Sequence, residues 1–166
     1  MIHENLQKAL NSQINQEFSA AFNYLGMATY FDAQNLEGFA NWMHMQFTEE
    51  QSHAMKLLRY LQDRGGVVRL ESIASPRNTY DNILEIFELS LVQEQSNTAS
   101  INELYAMATE LNDYATKSHL QWFIDEQVEE EKSVEDIIAL LNRIGDDTAG
   151  LLYLNDKLAA RKPEAE

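Results

Sequence analysis

Six residues of this 166-residue chain form a spaced set with the chemistry of a metal site: Glu17, Glu50, His53, Glu94, Gln127 and Glu130. The interval from Glu17 to Glu50 equals that from Glu94 to Gln127, and His53 and Glu130 each follow three places later. The second triplet is therefore the first displaced along the chain by one constant offset, the step from Glu17 to Glu94. The same displacement carries Glu49 onto Glu126, Leu10 onto Phe87, Ile14 onto Leu91 and Leu57 onto Val134, so apolar and polar positions repeat together. Four carboxylates and an imidazole suit two oxygen-preferring divalent ions, with Glu50 placed to bridge them. Iron or manganese fits this donor set better than copper, and with no cysteine there is no thiolate to select zinc. Without cations, buried carboxylates at close quarters must either repel one another or take up protons. Only 12 lysines and arginines exist, and none falls on the helical stripes near these positions, so the sequence offers no obvious salt-bridge substitute.

The elements that position this set read as helices. Six glycines and 2 prolines leave long uninterrupted stretches with apolar residues spaced by threes and fours. The spacing predicts helices over about 5–33, 37–64, 81–111 and 114–144, and a short fifth over 149–161. Gly65 and Gly66 are set to end the second helix, Asn112 and Asp113 to turn the chain and cap the fourth, and Gly145 to stop it. Glu17 and His53 lie equally far from Asn35 on either side, and Glu94 and Glu130 lie that same distance from Asn112. In antiparallel hairpins equal distances from the turn mean equal heights, so the six belong to one mid-bundle layer. Residues three apart share a helix face, which places Glu50 beside His53 and Gln127 beside Glu130. From Gly66 to Tyr80 runs a linker of about fifteen residues. At ~3.3 Å per extended residue it can span ~50 Å, longer than the ~42 Å of a helix of about 28 residues. The fold class this predicts is all-α: a four-helix bundle with one long crossover, in a single domain over 1–166, with a short C-terminal helix.

Composition narrows the function. Twenty-seven acids against 12 bases give a formal charge of −15, which disfavours nucleic acid and favours cations as partners. With 45% apolar and 10% aromatic residues, the charge belongs to a folded protein. No apolar run approaches the ~18 residues of a membrane span, and Met1 to Leu10 lacks the apolar stretch of a signal peptide, so no membrane association and a cytoplasmic location are expected.

On Glu17, the Glu-x-x-His of Glu50 and His53, Glu94, and the run Glu126, Gln127, Glu129 and Glu130, the chain resembles the ferritin family over essentially its whole length. The resemblance is closest to prokaryotic non-haem ferritins. It implies ferroxidase activity: Fe(II) is oxidised by dioxygen or hydrogen peroxide and stored as an Fe(III) mineral inside a homo-oligomeric cage of twenty-four subunits. It also implies ligand sets. Glu17, Glu50 and His53 would hold one iron, and Glu50, Glu94 and Glu130 the other. Glu49, Glu126, Glu129 and Glu130 would hold a third nearby. Gln127 would stand near bound oxygen rather than act as a strong ligand. Tyr24 and Trp122 would neighbour the site as possible electron donors. Symmetric di-iron relatives carry a second Glu-x-x-His where this chain has Gln127 and Glu130, and bacterioferritins place a haem-ligating Met where this chain has Gln51, so no haem is expected. The asymmetric site should release oxidised iron more readily.

Other readings stay open on the residues alone. Tyr24 and Trp122 also fit as core aromatics, and Glu129 to Glu131 as a solvated acidic face. His3, His44 and His119 lack ligand-spaced partners and read as surface or interface residues. The apolar fifth helix needs a partner; in the family it lines a four-fold channel. A soluble di-iron oxidase or peroxidase without a mineral, and a metal-free helical interaction protein, are the competing functions.

Overall fold

A computed structural model describes residues 2–162, which form helices and loops with no strand. The helices are α1 (Glu4–Ala33), α2 (Glu37–Asp63), α3 (Ile83–Glu110), α4 (Tyr114–Ile144) and α5 (Thr148–Ala159). α1 lies along α2, α3 along α4, and the two hairpins meet through α1 and α3; α5 seats on α2 and touches α4. This is the four-helix bundle with one long crossover and a short fifth helix.

The repeat extends to the turns. Asn35 (φ 57°) and Asn112 (φ 53°) both adopt the left-handed conformation that asparagine tolerates better than most side chains. Behind each, a backbone amide closes onto the last helical turn: Leu36 N to the Phe31 carbonyl at 3.1 Å and Asp113 N to the Ala108 carbonyl at 2.9 Å. Asn35 and Asn112, Leu36 and Asp113, and Phe31 and Ala108 are each separated by the same offset that separates the site triplets. α3 begins at Ile83, two positions later than the periodicity predicts. Asn82 caps it by accepting from Glu85 N at 2.9 Å, while the Glu85 carboxylate accepts from Asp81 N at 2.7 Å and holds Asp81 outside the helix. Asp113 and Asp147 cap α4 and α5 through Thr116 N and Ala149 N.

The crossover is fastened to α1 by an amide ladder. Gln7 Oε1 accepts from Val67 N (2.9 Å), Asn11 accepts from Arg69 N (2.6 Å) and donates to the Val67 carbonyl (2.9 Å), and Asn15 accepts from Glu71 N and donates to the Arg69 carbonyl (both 2.8 Å). Gln7, Asn11 and Asn15 recur every fourth position, a rise of ~6 Å on a helix, and Val67, Arg69 and Glu71 recur every second, ~6.6 Å on an extended chain. The two spacings nearly match, so one helix face can read the crossover. Further along, a Cβ at Gly26 would come within 2.7 Å of the Pro76 ring; only glycine lets the crossover lie this close to α1.

The apolar core falls into two clusters. One gathers Tyr24, Phe31, Phe39, Trp42, Met43, Ile86, Phe87, Val134 and Ile137 with Leu154 and Leu158 of α5. The other gathers Leu6, Leu10, Ile14, Leu57, Leu61, Ile101, Leu104, Leu120 and Phe123. Between them lies the polar layer.

Candidate metal centre

All four long helices turn polar side chains into this layer. Glu17, Glu50 and Glu94 are 0% exposed, and His53, Gln127 and Glu130 are nearly as deeply buried. Ligand atoms of Glu17, Glu50 and His53 lie within 4.8 Å of one another, and so do those of His53, Glu126 and Glu130. His53 Nδ1 is 3.7 Å from Glu50 Oε2 and Nε2 is 4.0 Å from Glu126 Oε1, so the imidazole turns one nitrogen towards each group. Neither Glu50 oxygen accepts a hydrogen bond.

The carboxylates are held differently in the two halves of the repeat. Glu17 accepts from Gln13 Nε2 at 2.8 Å and from Asn97 Nδ2 at 3.1 Å, and Gln13 also donates to Asn97 Oδ1. Its repeat partner Glu94 accepts instead from the Tyr24 hydroxyl, with Gln127 Nε2 at 3.2 Å from the Glu94 carbonyl and 3.5 Å from its Oε2. Glu130 Oε2 accepts from Gln46 Nε2 at 2.7 Å. The repeat equivalent of Gln46 is Phe123, whose ring lies 6.0 Å from that of His53. An amide thus serves the carboxylate half and an aromatic ring packs the imidazole half. The Trp122 and His53 rings meet in a T-shaped contact with centroids 5.3 Å apart, with the Lys56 ammonium 3.2 Å from the indole centroid.

Burial sets the protonation of the layer. It pushes Glu50 well above the ordinary carboxylate range, with the charges of Glu94 and Glu17 adding to the effect. Burial likewise raises Glu130, reinforced by Glu94 and opposed by the Gln46 hydrogen bond. Glu94 is raised to about 7, chiefly by burial, while its Tyr24 hydrogen bond pulls the other way. Burial and the neighbouring Glu94 hold the Tyr24 phenol protonated well beyond its usual range. Without cations the layer therefore keeps protons that carboxylates exposed to water would lose.

Other predicted residues sit apart from the two groups. Glu49 pairs with Arg161 at 2.8 Å, and Glu129 is exposed. The sequence places no base on the four stripes near the site, yet a base reaches Glu49 from outside them, Arg161. It follows α5, lies outside the four stripes, and arrives only because α5 folds back on α2. His119, expected at the surface or an interface, is half-buried and stacked on Tyr60 with ring centroids 4.0 Å apart. Burial and then Lys56 lower it to about 4, so it is a neutral packing residue at pH 7. His3 is exposed, and His44 lies 3.3 Å from Asp32 at the surface. The sequence reading also missed Gln13, Gln46 and Asn97, all buried. A signal existed: Gln13 lies four places before Glu17, Gln46 four before Glu50, and Asn97 three after Glu94, on the same faces.

What this layer can do chemically is hold cations between anionic oxygens and one imidazole, out of bulk water. The model of the ferritin-like domain matches residues 7–144. Bacterial non-heme ferritin from Staphylococcus aureus is 43% identical over 166 residues, covering all of both chains. Its counterpart from Staphylococcus haemolyticus is 44% identical over the same length. Among solved structures, a closed form of the Archaeoglobus fulgidus ferritin superposes with a TM-score of 0.96 at 44% identity, covering 99% of this chain and 100% of that one. A humanized archaeal ferritin superposes with a TM-score of 0.98 at 42% identity, with the same coverage. With the repeat, the crossover and the buried Glu-x-x-His in place, the chain belongs to the ferritin family.

Proposed function

We propose that this chain, a single ferritin-like domain, is a cytoplasmic ferroxidase and iron store. Fe(II) is its substrate, oxidised at the buried layer and stored as an Fe(III) mineral within a cage of twenty-four copies. The observation that carries the reading is Glu50: fully buried, accepting no hydrogen bond, and set between Glu17, Glu94 and His53. A carboxylate in that position is stable only as the neutral acid or beside a cation. Membrane work has no support, since no helix among the described residues is long and apolar enough to cross a bilayer.

In this reading Glu17, Glu50 and His53 hold one iron and Glu50, Glu94 and Glu130 the other, with Glu50 shared. Two Fe(II) supply two electrons, which with two protons convert dioxygen to hydrogen peroxide, or hydrogen peroxide to two waters. The side chains manage the protons. Glu50, Glu94 and Glu130, protonated in part before loading, give up protons as cations bind. Tyr24 directs its hydroxyl at Glu94 Oε1, so where the oxidant takes a further electron beyond the two from iron, the ring can supply it with its proton passing to that carboxylate. Gln127, tied to Glu94 and to Thr98 Oγ1 at 3.2 Å, presents an uncharged amide on the oxidant's side. Trp122, in edge contact with His53, is a second electron source. Glu126 with Glu130, joined by Glu49 and Glu129, forms the approach and a third binding position.

Aerobic addition of Fe(II), followed by ferric absorbance, tests the chemistry. Glu50→Ala and His53→Ala should each reduce the initial rate to that of buffer; retention of the rate would refute the centre. Size exclusion tests the cage, since elution of the 19.1 kDa subunit as a monomer or dimer would refute storage while leaving the di-metal chemistry standing.

A further inference from the structure

The end of α5 reaches the metal layer through one side chain. Asn41 Nδ2 on α2 donates to the Leu158 carbonyl at 3.1 Å and to the Arg161 carbonyl at 3.2 Å. Asn155 Oδ1 accepts from the Gly38 and Phe39 amides at 3.0 and 3.3 Å. With α5 so pinned, the Arg161 guanidinium lies 5.0 Å over the Trp42 ring, gives Nη2 to Glu49 Oε2 at 2.8 Å and gives Nη1 to Gln46 Oε1 at 2.6 Å. Gln46 in turn gives Nε2 to Glu130 Oε2 at 2.7 Å.

Donor and acceptor chemistry gives this chain a direction. A guanidinium only donates, so it fixes the Gln46 carbonyl towards itself and thereby aims the Gln46 N–H at Glu130. One arginine thus sets the orientation of a buried carboxylate two hydrogen bonds away. At the same time Arg161 supplies Glu49 with a cation of the protein's own, and Glu49 is not among the ligand atoms gathered with His53, Glu126 and Glu130. The pair is mostly buried, with the Arg161 side chain 20% exposed and Glu49 16%, so the guanidinium keeps an edge in water into which it can withdraw, and a divalent ion between two carboxylates is attracted more strongly than one univalent charge beside one of them.

We propose that Arg161 is a displaceable counter-ion at the approach to the metal centre. Docked, it aims Glu130 through Gln46 and occupies Glu49. A further divalent cation taken up by Glu49 and Glu126 replaces it and loosens the end of α5. The inference rests on the centre proposed above and adds a link between cation loading of the approach and the seating of the fifth helix.

Zinc, inert to oxidation, is the probe, added to the iron-free assembly. The chain has 2 tryptophans, so Trp122→Phe leaves Trp42 as sole reporter of the guanidinium above it. Calorimetry counts the ions bound, and Trp42 emission reads Arg161. The first two zinc ions per subunit should leave the emission unchanged and the third should shift it. Arg161→Gln should tighten the third ion by about tenfold and silence the shift. Arg161→Lys keeps the charge but cannot span Glu49 and Gln46 together, and should fall between. The Trp42 measurement uses the native arginine, so it decides the matter even if Arg161→Gln disturbs α5. Two ions bound normally, with no third, with a third indifferent to Arg161, or with Trp42 silent throughout, would overturn the counter-ion role alone. Failure to bind even two would overturn the metal centre and this inference with it.

Discussion

Replacing Glu94 by Gln should stabilise the iron-free protein, and by an amount that depends on pH. Glu94 is fully buried, and its carboxyl is moved from an ordinary 4.5 to about 7. A displacement of that size means that folding disfavours its ionised form by about 3 kcal/mol. The sign follows from linkage: with the folded value raised, the folded state holds more protons than the unfolded chain between pH 4.5 and about 7, so stability falls as pH rises through that window. At pH 8 the loss attributable to Glu94 reaches about 3 kcal/mol, and at pH 5 it is under about 1 kcal/mol. Glutamine keeps an acceptor for the Tyr24 hydroxyl and cannot ionise, which leucine would not achieve, because leucine strands a fully buried phenol. For a subunit of this size the gain at pH 8 corresponds to roughly 6–12 °C in thermal midpoint, shrinking to a few degrees at pH 5. The assay is paired thermal unfolding of iron-free wild type and Glu94→Gln at pH 5 and 8, with zinc added in a second series. Zinc should raise the wild type well above the variant, since only the wild type keeps the full ligand set. Equal midpoints at pH 8, or a gain independent of pH, would refute a crowded, proton-holding layer.

Cation binding at pH 6–7 should release at least about one proton per subunit, because Glu50, Glu94 and Glu130 are all raised. Calorimetry in buffers of different ionisation heat measures this, and no release would contradict the assignment. Gly38→Ala should unseat α5, since its Cβ would lie 1.7 Å from the Asn155 carbonyl oxygen. Hydrogen exchange should then rise in residues 154–158 and stay unchanged in α3. Asp113→Ala removes both oxygens that receive the Arg64 guanidinium, at 2.9 and 3.0 Å, together with the cap on Thr116 N at 3.0 Å. A cost of about 1–2 kcal/mol is expected at pH 7. Arg64 holds Asp113 below its ordinary 3.8, so this contribution begins to fade as the pH falls below that value and is lost only as it passes the carboxyl's own lower folded value; denaturant curves of the two proteins should draw together as the pH is lowered through that range.

How far the site could be read from the chain depended on whether a residue's partner lies at a fixed spacing. Glu17, Glu50, His53, Glu94, Gln127 and Glu130 were legible because helix period, turn position and repeat length converge on one height. Asn35 and Asn112 made the count possible, and their shared left-handed geometry explains why it works: identical turns place identical distances level with each other. Gln13, Gln46 and Asn97 obey the same spacing, yet an amide on a helix face is more often solvated than buried, so the pattern does not single them out. The ladder of Gln7, Asn11 and Asn15 is periodic only against the crossover, whose path has no period of its own. Arg161 lay furthest from reach, because its contact with Glu49 joins distant parts of the chain and exists only through the docking of α5. The same division runs through the centre itself. The repeat supplies the matched carboxylates, and unmatched pairs such as Glu50 against Gln127, His53 against Glu130, Gln46 against Phe123 and Tyr24 against Ile101 make its two halves chemically distinct. In the proposed reading, the repeated hairpin would offer two like ions matched positions, and only those departures could treat the two differently.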